Sequence, residues 1–222
     1  MNPLTQTQRS LKINEIFLSI QGESTHAGRP CAFVRLSGCP LRCTYCDTEY
    51  AFYEGKAQNF DKIFETLKSY KTNLVEVTGG EPLAQPNVNF FMQELVDRGY
   101  EVLLETSGAY PIHKVPKEVA IIMDVKTPSS SELSKMCWDN MGSLKAGLDE
   151  VKFVLSNHAD FDFAMEITQK YKLFEKCTVL LSPSHGVLEN KKLAEWIVES
   201  KLPFRMQIQM HKYIWGAEAR GV

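Results

Sequence analysis

Three cysteines stand close together at Cys39, Cys43 and Cys46, with the spacing C-x3-C-x2-C. Thiolates are the usual ligands of iron–sulfur clusters, and three of them can hold three irons of a four-iron cubane. The fourth iron then has no protein ligand and stays open to another molecule, whereas a cluster with four cysteine ligands is normally a closed electron carrier. The spacing therefore predicts a cluster with one reactive iron.

Two other uses of these cysteines remain open. A C-x2-C pair is often half of a zinc site, which needs four ligands in a tetrahedron, and Cys31 or His26 could supply the fourth. The chain has six cysteines in all, so disulfides are a second alternative. The remaining three, Cys31, Cys137 and Cys177, stand singly, which is typical of small buried apolar residues.

The length of 222 residues fits one large domain or two small ones, and the apolar fraction of 44% is sufficient for a sizeable core. We expect a single domain that spans residues 1–222. Within it, residues 1–11 and 216–222 are expected to be flexible tails. The net charge of −2 argues against a general nucleic-acid or membrane-surface partner.

The cellular setting is predicted from what the chain lacks. Residues 1–10 are polar and do not resemble a signal peptide, and no apolar stretch approaches the length of a membrane span. We therefore expect a cytoplasmic protein, because the reducing cytoplasm keeps thiols free to bind a cluster.

Short apolar runs alternate with amphipathic segments along the chain. Strands are predicted over residues 12–20, 32–36, 74–78, 102–104, 119–123, 151–155, 178–181 and 204–210, and helices over 60–70, 88–98, 159–171 and 191–200. This order implies mostly parallel strands joined by right-handed crossovers. The chain is too short for a full eight-fold barrel of about 250 residues, so the predicted fold class is α/β, a partial, open (β/α) barrel.

Polar or glycine-rich clusters directly follow or interrupt the predicted strands. They are Gln21-Gly22-Glu23, Arg35, Thr78-Gly79-Gly80-Glu81-Pro82, Glu105-Thr106-Ser107-Gly108, Asp124-Val125-Lys126-Thr127-Pro128 and Ser182-Pro183-Ser184-His185-Gly186. In β/α barrels the active site lies at the carboxyl ends of the strands. We therefore expect these clusters to meet in one site, although each taken alone is also compatible with ordinary loop chemistry.

The cysteine spacing and the Gly-Gly-Glu-Pro run that begins at Gly79 resemble the radical S-adenosylmethionine (radical SAM) enzymes. In that superfamily the open iron binds the amino and carboxylate groups of S-adenosylmethionine, and an electron from the cluster cleaves the sulfonium to give an adenosyl radical. A narrower resemblance comes from Gln21-Gly22-Glu23, Arg35, the Cys-Asp-Thr ending at Thr48 and the pair His211-Lys212, in this order. Together these segments are similar to the 7-carboxy-7-deazaguanine synthase family.

The resemblance implies a radical SAM barrel and a defined reaction. The substrate would be the small-molecule pterin 6-carboxy-5,6,7,8-tetrahydropterin, which loses ammonia and becomes 7-carboxy-7-deazaguanine on the route to queuosine and other 7-deazapurines. The implied cofactors are a [4Fe-4S] cluster, S-adenosyl-L-methionine and Mg2+. The implied partners are a flavodoxin- or ferredoxin-like electron donor and a second copy of the chain in a homodimer.

The resemblance also assigns roles to residues at the matching positions. Cluster ligation falls to Cys39, Cys43 and Cys46, and magnesium ligation to the Thr48 hydroxyl. Contacts to S-adenosylmethionine fall to Tyr45, Cys46, Asp47, Gly80, Glu105, Asp124, Val125, Lys126, Ser182, Pro183, Ser184 and His185. For Glu105 the resemblance leaves open whether the cofactor or the substrate is its partner. Contacts to the substrate fall to Ile20, Gln21, Gly22, Arg35 and Thr78.

The chain departs from the family pattern in three places. Asp124-Val125-Lys126 stands where Ser-Pro-Lys is frequent, Ser24 stands where glycine is common, and residues 215–222 extend beyond the usual ending. Two alternatives remain beside the synthase. A glycyl-radical activase shares the cysteine spacing and acts on a protein, and a zinc-stabilised binding module would use the cysteines structurally.

Overall fold

A single nine-stranded sheet runs through the residues that the computed structural model describes, 9–222. Its strands are β1 Ser10–Ile20, β2 Pro30–Leu36, β3 Lys56–Asn59, β4 Leu74–Gly79, β5 Glu101–Thr106, β6 Ala120–Val125, β7 Glu150–Leu155, β8 Thr178–Pro183 and β9 Arg205–Met206. They lie in the order β3-β1-β2-β4-β5-β6-β7-β8-β9. β1 pairs antiparallel with β2 and β3, and the run from β2 to β9 is parallel, in agreement with the predicted partial barrel.

Four of the α-helices in this part of the chain cover one face of the sheet. These four are α1 Phe60–Tyr70, α2 Val88–Asp97, α3 His158–Tyr171 and α4 Asn190–Ser200, and they are followed by the short α5 Met210–Ile214. α1 shows why they form, because Asn59 caps its first turn by accepting a hydrogen bond from the Lys62 backbone N–H at 2.9 Å. Its residues Phe60, Ile63 and Leu67 recur at helical spacing and are fully buried.

Alternate side chains of the parallel strands point to opposite faces of the sheet, as the pleat requires. On the helix side, residues such as Val75, Val77 and Phe153 belong to the main hydrophobic core. The other face begins with a small inner apolar cluster, formed by Cys31, Leu74, Leu103, Ala120 and Ile122. Beyond that cluster, toward the carboxyl ends of the strands, this face becomes charged and polar. The alternation therefore gives the barrel an apolar floor and a polar upper wall.

A bulge in β1 changes which residues face the interior. Its register against β2 shifts between Ile13 and Glu15, so two residues that regular alternation would place on one face point to opposite faces. Ile13 is buried in the helix-side core, whereas Glu15 pairs with Arg35 across the strands. The bulge thus brings a carboxylate beside the arginine of β2.

The C-terminal residues from Gln207 onward contact the turn after β1. Residues 204–210 were expected to form one long strand, and this prediction is wrong: β9 covers two residues, and Met210 starts α5. The Gln207 side chain instead accepts a hydrogen bond from the Ser24 backbone N–H at 2.8 Å, and the Met210 N–H donates to Gly22 O at 3.2 Å. These bonds to the turn after β1 end the strand and bring its residues across the open side of the barrel.

Sequence patterns also missed the polar edge strand β3 and misjudged the start of β1. Ser10 and Leu11, placed in the predicted tail 1–11, are part of β1, and Leu11 is 2% exposed. Residues 1–8 of that tail lie outside the described part of the chain. The other predicted tail, residues 216–222, contains no helix or strand. Within residues 9–222, no helix combines the length and the apolar character that crossing a membrane requires.

Candidate active site

A cavity of about 990 Å3 opens at the carboxyl ends of the strands. With the exception of Val125, every residue that the sequence assigned to a site lines it: Ile20, Gln21, Gly22, Arg35, Cys39, Cys43, Tyr45, Cys46, Asp47, Thr48, Thr78, Gly80, Glu105, Asp124, Lys126, Ser182, Pro183, Ser184 and His185. The Val125 side chain is fully buried in the helix-side core, so only its backbone can contribute. The topology therefore collects residues from seven segments of the chain into one cavity.

The three cysteine thiols, those of Cys39, Cys43 and Cys46, lie on one side of this cavity and are partly exposed. Backbone bonds hold their loop, because Cys46 N–H donates to Cys43 O at 3.2 Å and Thr44 N–H donates to Ser130 O at 3.2 Å. Arg42 adds a further tie, since its guanidinium donates to Cys39 O at 2.9 Å. The loop is thus fixed to the strand β6 side of the chamber.

Burial raises the pKa of each of the three cysteine thiols. They are therefore protonated in the free protein at neutral pH, and binding of iron would displace the protons, as is general for thiolate sites. Within residues 9–222, no group of three or more His, Cys, Asp or Glu side chains is arranged so that it could hold a single metal ion. The residues considered as a fourth zinc ligand lie elsewhere: Cys31 is in the inner apolar cluster, and His26 Nδ1 lies 2.7 Å from an Arg29 nitrogen and 3.5 Å from Glu101.

The Gly79-Gly80 pair allows β4 to approach the cysteine loop closely. Gly79 has φ of +139°, and a Cβ added there would collide with the backbone of Leu36. A Cβ on Gly80 would collide with Gly38 O and lie 2.8 Å from Cys39 Cβ. The backbone at Gly80 is therefore pressed against the first cluster ligand, which fits its predicted contact to the cofactor.

Glu81 holds this loop in place from beneath. It is fully buried and accepts hydrogen bonds from Thr106 Oγ1 at 2.9 Å, Ser107 N–H at 2.8 Å and Leu83 N–H at 2.9 Å. These bonds connect the loop after β4 to the loop after β5. The glutamate of the Gly-Gly-Glu-Pro run is thus a structural link between two loops of the site.

The wall formed by β6 has an acceptor without a partner. Asp124 Oδ2 pairs with Lys126 Nζ at 3.1 Å, whereas Asp124 Oδ1 is buried and has no hydrogen-bond partner among the described residues. A buried acceptor left open in a cavity wall suits a ligand hydroxyl, such as that of a ribose. Lys126 Nζ also lies 5.9 Å from the centre of the Tyr45 ring, beside the cysteine loop.

The end of β8 and the loop that follows it complete the cofactor side. Ser182 and Ser184 are buried at 2% and 3% exposure, and Ser184 N–H donates to Leu155 O at 2.8 Å, whereas His185 is exposed at the mouth. Together the thiols, the close approach at Gly80 and the open oxygen of Asp124 fit a cluster with a ligand that carries hydroxyl, amino and carboxylate groups.

Arg35 marks the other side of the cavity. Its Nε donates to Glu15 Oε1 at 2.7 Å, so this bond uses neither of the two terminal nitrogens. Tyr50 OH donates to the same Glu15 oxygen at 3.1 Å. An arginine fixed in this way can present its planar fork to a ligand carboxylate. Thr78, from β4, lies near it on the wall and donates to Glu105 Oε2 at 3.3 Å.

Sequence reasoning missed two buried ionisable residues of this cavity, Glu76 and Lys152. Both are cavity-lining residues, at 2% and 4% exposure. Lys152 Nζ forms ion pairs with Glu105, with Glu23 at 3.1 Å and with Asp124 at 3.8 Å. The same signal that drew attention to Arg35, a charged residue inside an apolar strand, is present at both positions in the sequence.

The C-terminal segment supplies further polar groups, to which the sequence assigned no role. Gln209 Nε2 donates to Glu23 Oε1 at 3.2 Å and to Asp47 Oδ2 at 2.9 Å, and Lys212 Nζ lies 2.8 Å from the same Asp47 oxygen. Burial opposes ionisation of Asp47, but the Lys212 ammonium outweighs it and lowers the pKa of Asp47 well below its usual value. The segment thereby ties the turn after β1 to the cysteine loop.

Comparisons with known proteins agree with the resemblance seen in the sequence. The profile of the Radical SAM superfamily matches residues 33–134. The 7-carboxy-7-deazaguanine synthase of Chlorobaculum tepidum is 44% identical over 218 residues, covering 97% of this chain and 99% of the relative. The protein of the same name from Koribacter versatilis is 43% identical, covering 96% and 100%.

A solved structure shares the fold at low sequence identity. The crystal structure of QueE from Escherichia coli superposes with a TM-score of 0.72 at 19% identity, covering 92% of this chain and 96% of that one. At this level of identity the match shows the fold alone, and it confirms the predicted open α/β barrel.

Proposed function

Because this chain belongs to the 7-carboxy-7-deazaguanine synthase family, we propose that its cavity converts 6-carboxy-5,6,7,8-tetrahydropterin to 7-carboxy-7-deazaguanine with loss of ammonia. The chain is a radical SAM enzyme of 7-deazapurine biosynthesis, with a [4Fe-4S] cluster and S-adenosylmethionine as cofactors. One observation carries the proposal for the site: cluster thiols, cofactor-side groups and the Arg35 fork line one cavity. The relatives favour this function over a glycyl-radical activase or a zinc module.

On the cofactor side, the proposed ligands of the cluster are the three cysteine thiols. When bound, the cluster and S-adenosylmethionine together supply a radical that abstracts hydrogen. The chain orients this pair: the Gly80 backbone approaches the first thiol, and Asp124 Oδ1 is free to accept a hydrogen bond from a ribose hydroxyl. Tyr45, Ser182, Ser184 and the other cofactor-side residues would then enclose the adenosyl group and exclude water.

On the substrate side, Arg35 would bind the pterin carboxylate through its two terminal nitrogens. Glu105 would accept hydrogen bonds from the pterin ring nitrogens, because Lys152 keeps it ionised. Burial opposes that ionisation, but the Lys152 ammonium lowers the pKa of Glu105 overall. Ile20, Gln21, Gly22 and Thr78 would complete the wall around the ring.

Magnesium, the electron donor, the homodimer and the cytoplasmic location also belong to the proposal. For magnesium, the supporting observation is the pair Thr48 and Asp47, whose oxygens lie 2.9 Å apart on the cavity lining and are the hard ligands that this ion prefers. The partial exposure of the three cysteine thiols is compatible with reduction by a flavodoxin- or ferredoxin-like protein. The homodimer and the cytoplasmic location rest on the family resemblance and on the cysteine usage.

The deciding experiment is anaerobic turnover. The protein is reconstituted with iron and sulfide and given S-adenosylmethionine, dithionite, magnesium and the carboxytetrahydropterin, and the deazaguanine is sought by mass spectrometry. We expect product from the wild type and from Cys137→Ala, whose thiol lies outside the cavity lining, and none from Cys43→Ala. Formation of 5′-deoxyadenosine without deazaguanine would mean that the substrate is wrong. Zinc instead of iron in the reconstituted protein would contradict the cluster assignment.

A further inference from the structure

Glu76 is a buried carboxylic acid in the middle of β4, and it has no proposed role in binding the cofactor or the substrate. Its neighbours Val75 and Val77 point into the helix-side core, and Glu76 itself points to the cavity side at 2% exposure. A carboxyl group buried to this extent is costly unless it is hydrogen-bonded. The Glu76 carboxyl group therefore needs a hydrogen-bond partner that offsets the cost of its burial.

The partner is the side chain of Gln21, which is 4% exposed. Gln21 Nε2 donates to Glu76 Oε2, and Gln21 Oε1 accepts a hydrogen bond from the Glu23 backbone N–H. The Gln21 backbone is also engaged, with Arg29 O and Gly28 N–H, each at 2.8 Å. Of these four bonds, the one to Glu76 alone leaves the segment 21–29, so the Gln21 amide acts as a strut between β4 and the turn.

The turn held by this strut carries groups of the site. Glu23 accepts hydrogen bonds from Lys152 Nζ at 3.1 Å, Gln207 Nε2 at 2.9 Å and Gln209 Nε2 at 3.2 Å. Gly22 O receives the Met210 N–H at 3.2 Å, which brings the C-terminal segment over the cavity. A displacement of the turn would therefore move polar groups on both sides of the open barrel.

The charge state of Glu76 follows from what surrounds it. Burial raises the pKa of Glu76 to about 8, and the charges of Glu105 on β5 and Glu23 in the turn act in the same direction, against the Gln21 hydrogen bond and the Lys152 ammonium of β7. Cys31 of β2 also lies within electrostatic range. Glu76 is thus mostly neutral at pH 7. Once ionised, it would compete with Glu105 and Glu23 for Lys152.

We propose that Glu76 is a positioning residue, whose carboxyl oxygen holds the Gln21 amide and thereby fixes the Gln21–Gly22–Glu23 turn against the substrate side of the cavity. The fixing of the turn follows from these contacts alone, whereas its consequence for the pterin rests on the proposed function. A neutral acceptor is sufficient for this role, so glutamine should replace glutamate and leucine should not.

The first test uses the reconstituted enzyme without substrate. Amide hydrogen exchange is followed by mass spectrometry at pH 7 for peptides that cover residues 21–29. We expect the amides of residues 21–29 to be as protected in Glu76→Gln as in the wild type. The control Glu166→Gln, which changes an exposed glutamate of α3, should show the same protection. We expect loss of protection in Glu76→Leu. If Glu76→Leu does not fold, Gln21→Met removes the same hydrogen bond from the other partner.

The second test is the KM for the carboxytetrahydropterin as a function of pH. In Glu76→Leu we expect KM to rise by up to about tenfold at pH 7, the effect of one lost hydrogen bond, with kcat less affected. Above pH 8 an ionised Glu76 would draw the Lys152 ammonium away from Glu23 in the turn, so the wild-type KM should rise, and Glu76→Gln should lack this rise.

Normal protection in both Glu76→Leu and Gln21→Met would overturn the proposal, and so would lost protection in Glu76→Gln or the same alkaline rise of KM in that variant. If the exchange results are as expected but the wild type makes no deazaguanine, the proposed function fails and the role of Glu76 in the turn stands.

Discussion

Lys152 on β7 and Glu23 in the turn after β1 are 129 positions apart in the chain, yet their Nζ and Oε2 atoms lie 3.1 Å apart. The same ammonium contacts Glu105 on β5 and approaches Asp124 on β6. Burial opposes its ionisation, but these carboxylates raise the pKa of Lys152 well above its usual value. A single buried cation thus faces three carboxylates on the wall of one cavity.

Replacing Lys152 by methionine should destabilise the protein by about 3–5 kcal/mol, because removing one partner of a buried ion pair leaves uncompensated charge. The loss should shrink in acid, because burial without the Lys152 ammonium favours protonation of Glu105. Chemical denaturation at pH 5 and pH 7 measures both effects, with Lys192→Met, at an exposed site on α4, as the control. An equal loss in the two variants would show that Lys152 is not a structural counter-charge.

The sequence predicted the parallel part of the barrel, and nearly every residue that it assigned to a site lines the cavity, because both depend on local signals. Apolar runs such as that of β4 identify strands, and polar groups that follow them collect at one edge of a parallel sheet. The cysteine spacing is also a local signal, and it can be recognised without knowledge of the fold.

What the sequence did not reveal depends on contacts between distant segments. The run 204–210 is apolar enough for a strand, but Gln207 and Met210 bond to the turn after β1 and end it. The polar strand β3 exists because β1 pairs with it. Glu76 and Lys152 stand in strands that were identified, yet their role is visible only when their partners from other strands are known.

Gly80→Ala should prevent normal assembly of the cluster. The added Cβ would collide with Gly38 O and meet Cys39 Cβ at 2.8 Å, so the cysteine loop would have to move. Iron and sulfide content after reconstitution, together with the visible absorption of the cluster, measure the effect. Gly142→Ala is the matched control, because nothing lies within 4 Å of the Cβ that it adds. A full cluster in Gly80→Ala would mean that the loop has room to move.

Glu76→Gln should be more stable than the wild type, and the difference should depend on pH. The pKa of Glu76 is raised from 4.5 to about 8, so the wild type loses stability as pH rises from about 4.5 to about 8. Glutamine carries no such penalty. The difference in Tm between the two proteins should therefore grow across this interval and stay constant above it. A Tm difference that does not change with pH would show that Glu76 is already ionised in the folded protein.

Arg220→Ala should weaken binding of the pterin without slowing the chemical step. The Arg220 guanidinium lies 3.8 Å from the centre of the Tyr50 ring, and Tyr50 in turn supports the Glu15–Arg35 pair. An exposed cation–π contact is worth about 0.5–1 kcal/mol, so KM should rise by about two- to fivefold with kcat unchanged. Steady-state kinetics compare it with Arg205→Ala, an exposed arginine of β9 outside the cavity lining. A lower kcat at constant KM would place Arg220 in the reaction rather than at the mouth of the cavity.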